Sequence, residues 1–482
     1  MSVPLAKPEE VVPLNTLGKK EDAADKDDVT PQLKVYKQRW LVLAVIVLLN
    51  NTNTMSWISF APVSNYVNAF YGESSASWFS VVYMIMTIPV GCFAMWAGGK
   101  FGLRSAVLIA AWTNGIGALI RLSSSFLPVH LRFPVGITGQ AIAAIAYPFI
   151  MFLPTKVAGS WFPENQRTLA TTFGVMSNPL GVLMANLISP QIVKNPEQVV
   201  YLNIFTFVPS FAAMVLATIG VNRSNPKLPP TISAAQQQSG FWEGLKASLG
   251  NKQYLILLLV MGGGIGMFNC LYTVMQELLC PTGYSNSFAG LCAALMIVGG
   301  VVGASISGVF VDRTKMYEET LKVAMGAAVI CGLIFMQLTL HSGLSFYLAI
   351  ACLLFGVFGL ATYPVGLELA SECTYPTSEA TSTGLIVLSG QIQSVIYVMV
   401  MKQFARPLQP DRYQHQVCQL DENDTLNEPK DRTNSVMVFS VIASALVLFL
   451  VVLFKPIYKR HEAENSNRAR QDKEKLTEPL NA

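Results

Sequence analysis

Residues 41–62 read LVLAVIVLLNNTNTMSWISFAP, and this stretch decides the fold class. Its first nine residues are apolar, enough to commit a helix to lipid. Asn50, Asn51, Thr52, Asn53 and Thr54 then fall near mid-membrane, because a bilayer core takes about 20 residues of helix. Polar groups at that depth are costly against lipid and normally face protein or a water-filled hollow. At about 3.6 residues per turn, offsets of three, four and seven share a helix face. Asn50, Asn53 and Trp57 are therefore expected on one stripe, the wall of a solute pathway.

The rest of the chain agrees with a membrane solvent. Of 482 residues 52% are hydrophobic and only 13% charged, against about 25% charged in a soluble domain. The charges collect in the tails and a few links, so the expected class is an all-α polytopic membrane protein. The polar start of the chain has no short apolar core with a small-residue cleavage site, so no cleavable signal is expected. Eight cysteines show neither CxxC nor Cys/His spacing, and no metal or cofactor is expected. No basic patch with interleaved aromatics suggests nucleic acid. His130, His341, His415 and His461 all fall outside the interior of the spans, and no Ser/His/Asp cluster forms, which argues against an enzyme. The expected partners are a small-molecule solute and the lipid bilayer, around a monomer.

Hydropathy gives twelve spans: 39–68, 76–98, 104–125, 133–156, 166–190, 199–221, 252–278, 287–311, 319–341, 345–370, 381–402 and 434–455. Each is long enough to cross about 30 Å of hydrocarbon. The composition shift at 222–251 divides the chain into a tail at 1–38, a six-helix bundle at 39–221, a linker, a six-helix bundle at 252–455 and a tail at 456–482. Basic residues of short links favour the cytoplasm. Lys100, Arg104, Lys156, Arg167, Arg313, Lys315 and Lys322 then lie inside, and Arg121, Arg132 and Lys194 outside. Both termini are expected to be cytoplasmic. Cys280 and Cys418 then both face the oxidising side, where a disulfide is expected. Asn423-Asp-Thr425 is an outward N-glycosylation sequon.

The halves echo each other. Gly308-x-x-x-Asp312-Arg313-Thr314-Lys315 follows span eight, and Gly99-Lys-Phe-Gly-Leu-Arg104 stands at the matching place after span two without the acid. This resembles the cytoplasmic loop motif of the major facilitator superfamily, where such residues help to hold the inward-closed arrangement. Arg104, Asp312 and Arg313 are thus expected gating residues. Glu368, read as the acid lying well inside a span, is expected to join them at the inner gate.

Further blocks narrow the resemblance. They include Tyr36-Lys-Gln-Arg-Trp40, Asn53-Thr-Met-Ser-Trp57, Val82-Tyr83, Ser160-Trp-Phe162, Ser177-Asn-Pro-Leu-Gly181, Pro364-Val-Gly-Leu-Glu368 and Glu372-Cys-Thr-Tyr-Pro376. From about Tyr36 to Pro456 the chain resembles solute carrier family 49, the feline leukaemia virus subgroup C receptor-related family. The resemblance implies the twelve-helix fold of the superfamily and transport of choline or ethanolamine. Haem or another amphipathic ring compound is an alternative, and a non-transporting receptor or scaffold is an alternative of another class.

In that family the amine site uses a tryptophan of span one, a glutamine of span four, a tyrosine of span seven and a glutamine of span eleven. By position these are Trp57, Tyr147, Asn269 and Gln391, so two of the four depart from the pattern. The residues agree in kind. A cation over an aromatic face gains about 0.5–2 kcal/mol, and Trp57 with Tyr147 can supply two such faces. Gln391 and Asn269 bring amide dipoles without charge. Asn53, Tyr83 and Thr273 complete the expected lining, Thr273 lying one turn beyond Asn269. With no acid expected at the centre of spans one, four or seven, facilitated movement is favoured over proton coupling. A plasma-membrane location is expected, with an endolysosomal one as the alternative.

Overall fold

The computed structural model describes residues 34–100, 102–226, 228, 241–375, 377, 379–409, 411, 415–420, 427–456 and 458–459. Asn423 lies outside these residues, as do 227 and 229–240 of the linker. Among the described residues the first bundle consists of α1 (Gln38–Ile58), α2 (Ser64–Tyr71), α3 (Ser75–Lys100), α4 (Gly102–Ser124), α5 (Val129–Trp161), α6 (Glu164–Ile192) and α7 (Val199–Gly220). A short α8 (Phe241–Leu249) ends the linker. The second bundle follows as α9 (Lys252–Leu279), α10 (Asn286–Thr314), α11 (Tyr317–Leu338), α12 (Ser345–Thr374), α13 (Glu379–Gln403) and α14 (Thr433–Leu453). Between the last two, strands β1 (Arg406–Pro407) and β2 (Lys430–Asp431) pair antiparallel.

Among the described residues eleven segments are long and apolar enough to cross a membrane, α1 and α2 counting together. The twelfth is α6, whose Asn, Ser and Thr residues dilute its hydropathy. Helix neighbours repeat between the halves. In the first bundle α1 packs on α6, α3 on α5 and α4 on α5; in the second α9 packs on α13, α10 on α12 and α11 on α12. The bundles meet through α6 with α10 and α3 with α13. This is the internal symmetry expected of the superfamily fold.

Span one is not the single helix the hydropathy gives. Helix α1 stops at Ile58, a 3-10 turn covers Ala61–Val63, and α2 begins at Ser64. Pro62 has no N–H to offer the Ile58 carbonyl four residues back, which favours a break there. The prolines within α5, α6 and α12 are instead carried inside continuous helices.

The triplet Gly262–Gly264 does not interrupt α9. A Cβ on Gly262 would lie 2.5 Å from Ser389 Oγ, and one on Gly263 2.5 Å from Leu446 Cδ1. These glycines bring α13 and α14 close to α9. They are packing devices.

One apolar cluster joins the bundles. It holds Trp57, Tyr83 and Met84 of the first bundle with Met267, Tyr272 and Met275 of the second. Separate clusters fill each bundle on its own, around Ile46 and Phe149 in the first and Leu257 and Leu369 in the second.

Candidate solute site and its closed end

Trp57 stands in the last turn of α1 and is 8% exposed. Its indole Nε1 donates to the Ser80 carbonyl of α3 at 3.2 Å, which fixes the plane of the ring. Tyr147 of α5 and Phe268 of α9 are half-buried and pack on the same cluster as Trp57. Phe268 stacks on Phe355 of α12 with centroids 4.7 Å apart and planes 8° from parallel. Gly359 leaves the room, since a Cβ there would come within 2.4 Å of the Phe268 ring.

Asn269 follows Phe268, and its Nδ2 donates to Ser394 Oγ of α13 at 3.1 Å. Gln391, one turn earlier on α13, is 4% exposed. The sequence reading missed Phe268, Tyr272 and Tyr363. Tyr363 lies on α12, within electrostatic reach of Tyr147 of the first bundle. A half-buried aromatic in an apolar span gives no signal of which neighbour it will meet.

Other expected lining residues are placed differently. Asn53 is fully buried, and its Nδ2 donates to Asn114 Oδ1 at 2.9 Å, the Ala143 carbonyl at 3.0 Å and Tyr83 Oη at 3.4 Å. Asn50 donates to the Gly174 carbonyl of α6 at 2.9 Å. Asn50 and Asn53 of the polar stripe thus join α1 to α3, α4, α5 and α6, their amides bonding side chains and backbone of those helices. Tyr83 is spent on Asn53, and Thr273 Oγ1 donates to its own helix at Asn269 O, 2.8 Å away.

Among the expected gating residues, Arg104 and Arg313 are exposed and Glu368 is exposed on α12. The side chain of Asp312 lies outside the described residues. Glu368 is not the sole ionisable group within the spans. Arg121, assigned from sequence to an outer link, is 1% exposed inside the first bundle. Glu277 is also enclosed near the end of α9.

Glu277 belongs to a seal between the bundles. Its Oε1 accepts from Ser77 Oγ of α3 at 2.6 Å, and its Oε2 from Arg432 Nη2 at 2.7 Å. Beside it Ser64 Oγ donates to Gln276 Oε1 at 2.6 Å. Gln276 Nε2 donates to Asn286 Oδ1 at 3.0 Å, and Asn286 Nδ2 to Asn65 Oδ1 at 2.7 Å. Asn427 Nδ2 donates to the Asn65 carbonyl at 3.1 Å, and Asn427 Oδ1 accepts from Asn68 Nδ2 at 3.2 Å. These bonds close the end of the bundles at which α1 stops and α14 begins. The pairs that join residues 64–77 to the second half are not legible in a single sequence, since their partners stand 200 to 362 residues apart.

The same end carries a disulfide between Cys280 and Cys418, whose Cα atoms lie 5.0 Å apart. It ties the end of α9 to the loop that delivers Asn427, and Val417 N donates to the Cys280 carbonyl at 3.0 Å. Closing a loop of 138 residues constrains the unfolded chain strongly. Serine at either position is expected to lower thermal stability in detergent, by the about 2–4 kcal/mol usual for such bonds. The check is a melting curve of each variant beside wild type with and without reductant.

The Major Facilitator Superfamily model matches residues 42–397. The chain is 39% identical to solute carrier family 49 member A3 of Xenopus tropicalis, over 90% of each chain. It belongs to solute carrier family 49 of the major facilitator superfamily. It is also 70% identical to the uncharacterized protein B0416.5 of Caenorhabditis elegans, over 96% of this chain and 92% of that one. It is 30% identical to the human choline/ethanolamine transporter FLVCR2, over 76% of this chain and 72% of that one.

Among solved structures it resembles an inward-open xylose transporter XylE from E. coli, with TM-score 0.64, 13% identity and coverage of 87% and 97%. A bacterial homolog of the human lysosomal transporter Spinster gives TM-score 0.59 at 16% identity, with coverage of 87% and 96%. These likenesses show the superfamily fold. The family member is thus a multi-pass membrane transporter.

Proposed function

We propose that this chain carries a small organic amine, ethanolamine or choline, between two faces of the bilayer by alternating access and without a coupled ion. The observation that carries the reading is the fixed aromatic face at Trp57 together with the buried Gln391 contributed by the second bundle. The indole attracts an ammonium, and the amide can bond a hydroxyl. Tyr147, Asn269 and Phe268 complete the lining from both bundles, so solute binding couples to their relative position. Relatives that carry the name choline/ethanolamine transporter support the solute class.

The disulfide supports placing the sealed end on the oxidising side. The closed seal then corresponds to an inward-facing arrangement with both termini cytoplasmic, in the plasma membrane. Opening requires the bonds among Ser64, Asn65, Gln276 and Asn286 to part. Arg104, Asp312, Arg313 and Glu368 would close the opposite end in turn. Asn423 would carry a glycan on the outer loop.

The test is uptake of labelled ethanolamine and choline into cells expressing the chain. Trp57→Ala is expected to raise KM roughly ten-fold, in line with the loss of about 1–2 kcal/mol of cation–π attraction. Gln391→Ala is expected to weaken uptake of both amines, which share a hydroxyl. Wild-type uptake equal to that of mock-transfected cells for both amines would end this reading.

A further inference from the structure

We infer that Arg121 and Gln140 are positioning residues for Trp57, setting from behind the aromatic face that solute meets. The inference rests on the solute reading above and adds two residues that do not themselves touch solute.

Arg121, in the last turn of α4, is a guanidinium without an acid. Among the described residues no carboxylate pairs with it. Its Nη1 donates to the Ser56 carbonyl at 2.8 Å and to Gln140 Oε1 at 2.8 Å, and its Nη2 donates to Thr206 Oγ1. The Phe60 ring lies 4.7 Å from the guanidinium carbon. A buried cation needs compensating negative potential. Here the carbonyl end of α1 supplies it, because the break before Pro62 leaves that helix terminus facing Arg121.

Gln140 of α5 is 1% exposed. Because its Oε1 accepts from Arg121, its Nε2 is turned to donate, and both hydrogens are used. One goes to the Ser56 carbonyl at 3.0 Å and the other to the Phe79 carbonyl at 3.1 Å. Ser56 precedes Trp57, and Phe79 precedes Ser80, which accepts the indole N–H. A single amide therefore ties the backbone beside the root of the indole to the backbone beside its anchor. Arg121 sets which way that amide points.

The helices are built to hold this arrangement. A Cβ on Gly139 would stand 2.6 Å from the Arg121 backbone nitrogen, so α4 and α5 touch main chain to main chain there. That contact keeps the guanidinium against Gln140. A role in helix packing alone would give no reason for both Nε2 bonds to end beside Trp57 and its acceptor.

Gln140→Glu separates the two roles. It keeps a partner for Arg121, now charged, and removes both donors to the peptides beside Trp57. The full chain is labelled with 5-fluorotryptophan in detergent, and the Trp57 fluorine line is assigned by its loss in Trp57→Phe. Folded Gln140→Glu protein is expected to shift or broaden that line while the Trp161 and Trp242 lines stay in place. KM for ethanolamine is expected to rise about ten-fold in Gln140→Glu, with no further rise when Gln140→Glu is added to Trp57→Phe.

Gln140→Leu gives a second, uncharged variant with the same expected results. An unmoved Trp57 line in folded variants overturns the inference, as does a KM effect that persists undiminished in the Trp57→Phe background. Should wild type carry no amine, the solute reading falls while the fluorine line still decides the positioning of Trp57.

Discussion

Arg432→Ala is expected to be among the most damaging single changes in this protein, lowering stability by about 3–5 kcal/mol. Arg432 and Glu277 form an ion pair at 2.7 Å, with side chains 8% and 16% exposed. Among the described residues, removal of the arginine leaves an enclosed carboxylate with only the Ser77 hydroxyl as its hydrogen-bond partner. The cost is mostly the desolvation of that orphaned charge. Lys402 also acts on Glu277 through its charge, which places the expected loss at the lower end of the range.

A shift in melting temperature in detergent reads the effect. The paired change Glu277→Gln with Arg432→Met should lose much less than Arg432→Ala alone, because it removes both charges together. Because Ser77 belongs to the other bundle, Arg432→Ala should also loosen the seal. Maleimide labelling of a cysteine placed at Ser64 should then rise. Wild-type stability in Arg432→Ala would show that the pair is effectively solvated.

Gly303→Ala is the second large effect. A Cβ at this position of α10 would sit 1.8 Å from the Val357 carbonyl oxygen of α12. The obstacle is backbone, which cannot rotate aside, so the two helices must part along their whole contact. Gly299 and Gly356 line the same crossing, with Cβ positions 2.3 Å from Leu353 O and 2.1 Å from Met296 O. Overpacking typically costs about 1–3 kcal/mol, and a main-chain obstacle belongs at or above the top of that range.

Gly308 on the same helix meets nothing within 4 Å. Gly308→Ala should therefore be neutral or stabilising by up to about 1 kcal/mol through helix propensity. Size-exclusion profiles after a graded heat step compare the two variants directly. Equal survival of both would mean that α10 and α12 are not in backbone contact.

How much of the site was legible varies residue by residue. Trp57 and Gln391 could be picked out because a large ring and an amide in apolar spans are conspicuous, and the family resemblance gave them a role. Asn53 was equally conspicuous but serves packing, since its amide meets Asn114 and Ala143 of neighbouring helices. Helical periodicity assigns a residue to a face. It does not say whether that face meets water or another helix. Arg121 was taken for a link residue because counting basic residues near span ends cannot separate a side chain turned into the bundle from one turned out. Its acceptors come from α1, α5 and α7, which the sequence holds far apart.

The amino-acid sequence alone determined the number of spans, their division into two halves and the superfamily. Each membrane helix must satisfy its backbone internally and offer an apolar surface to lipid, and both demands are written locally. Only the tertiary structure decided where span one breaks in relation to its neighbours and which amides face which helix. It also decided that the end bearing the Cys280–Cys418 disulfide is the sealed one. Those outcomes depend on polar groups finding partners 19 to 362 residues away. Such pairing is a property of the packed bundle, and no stretch of sequence carries it by itself.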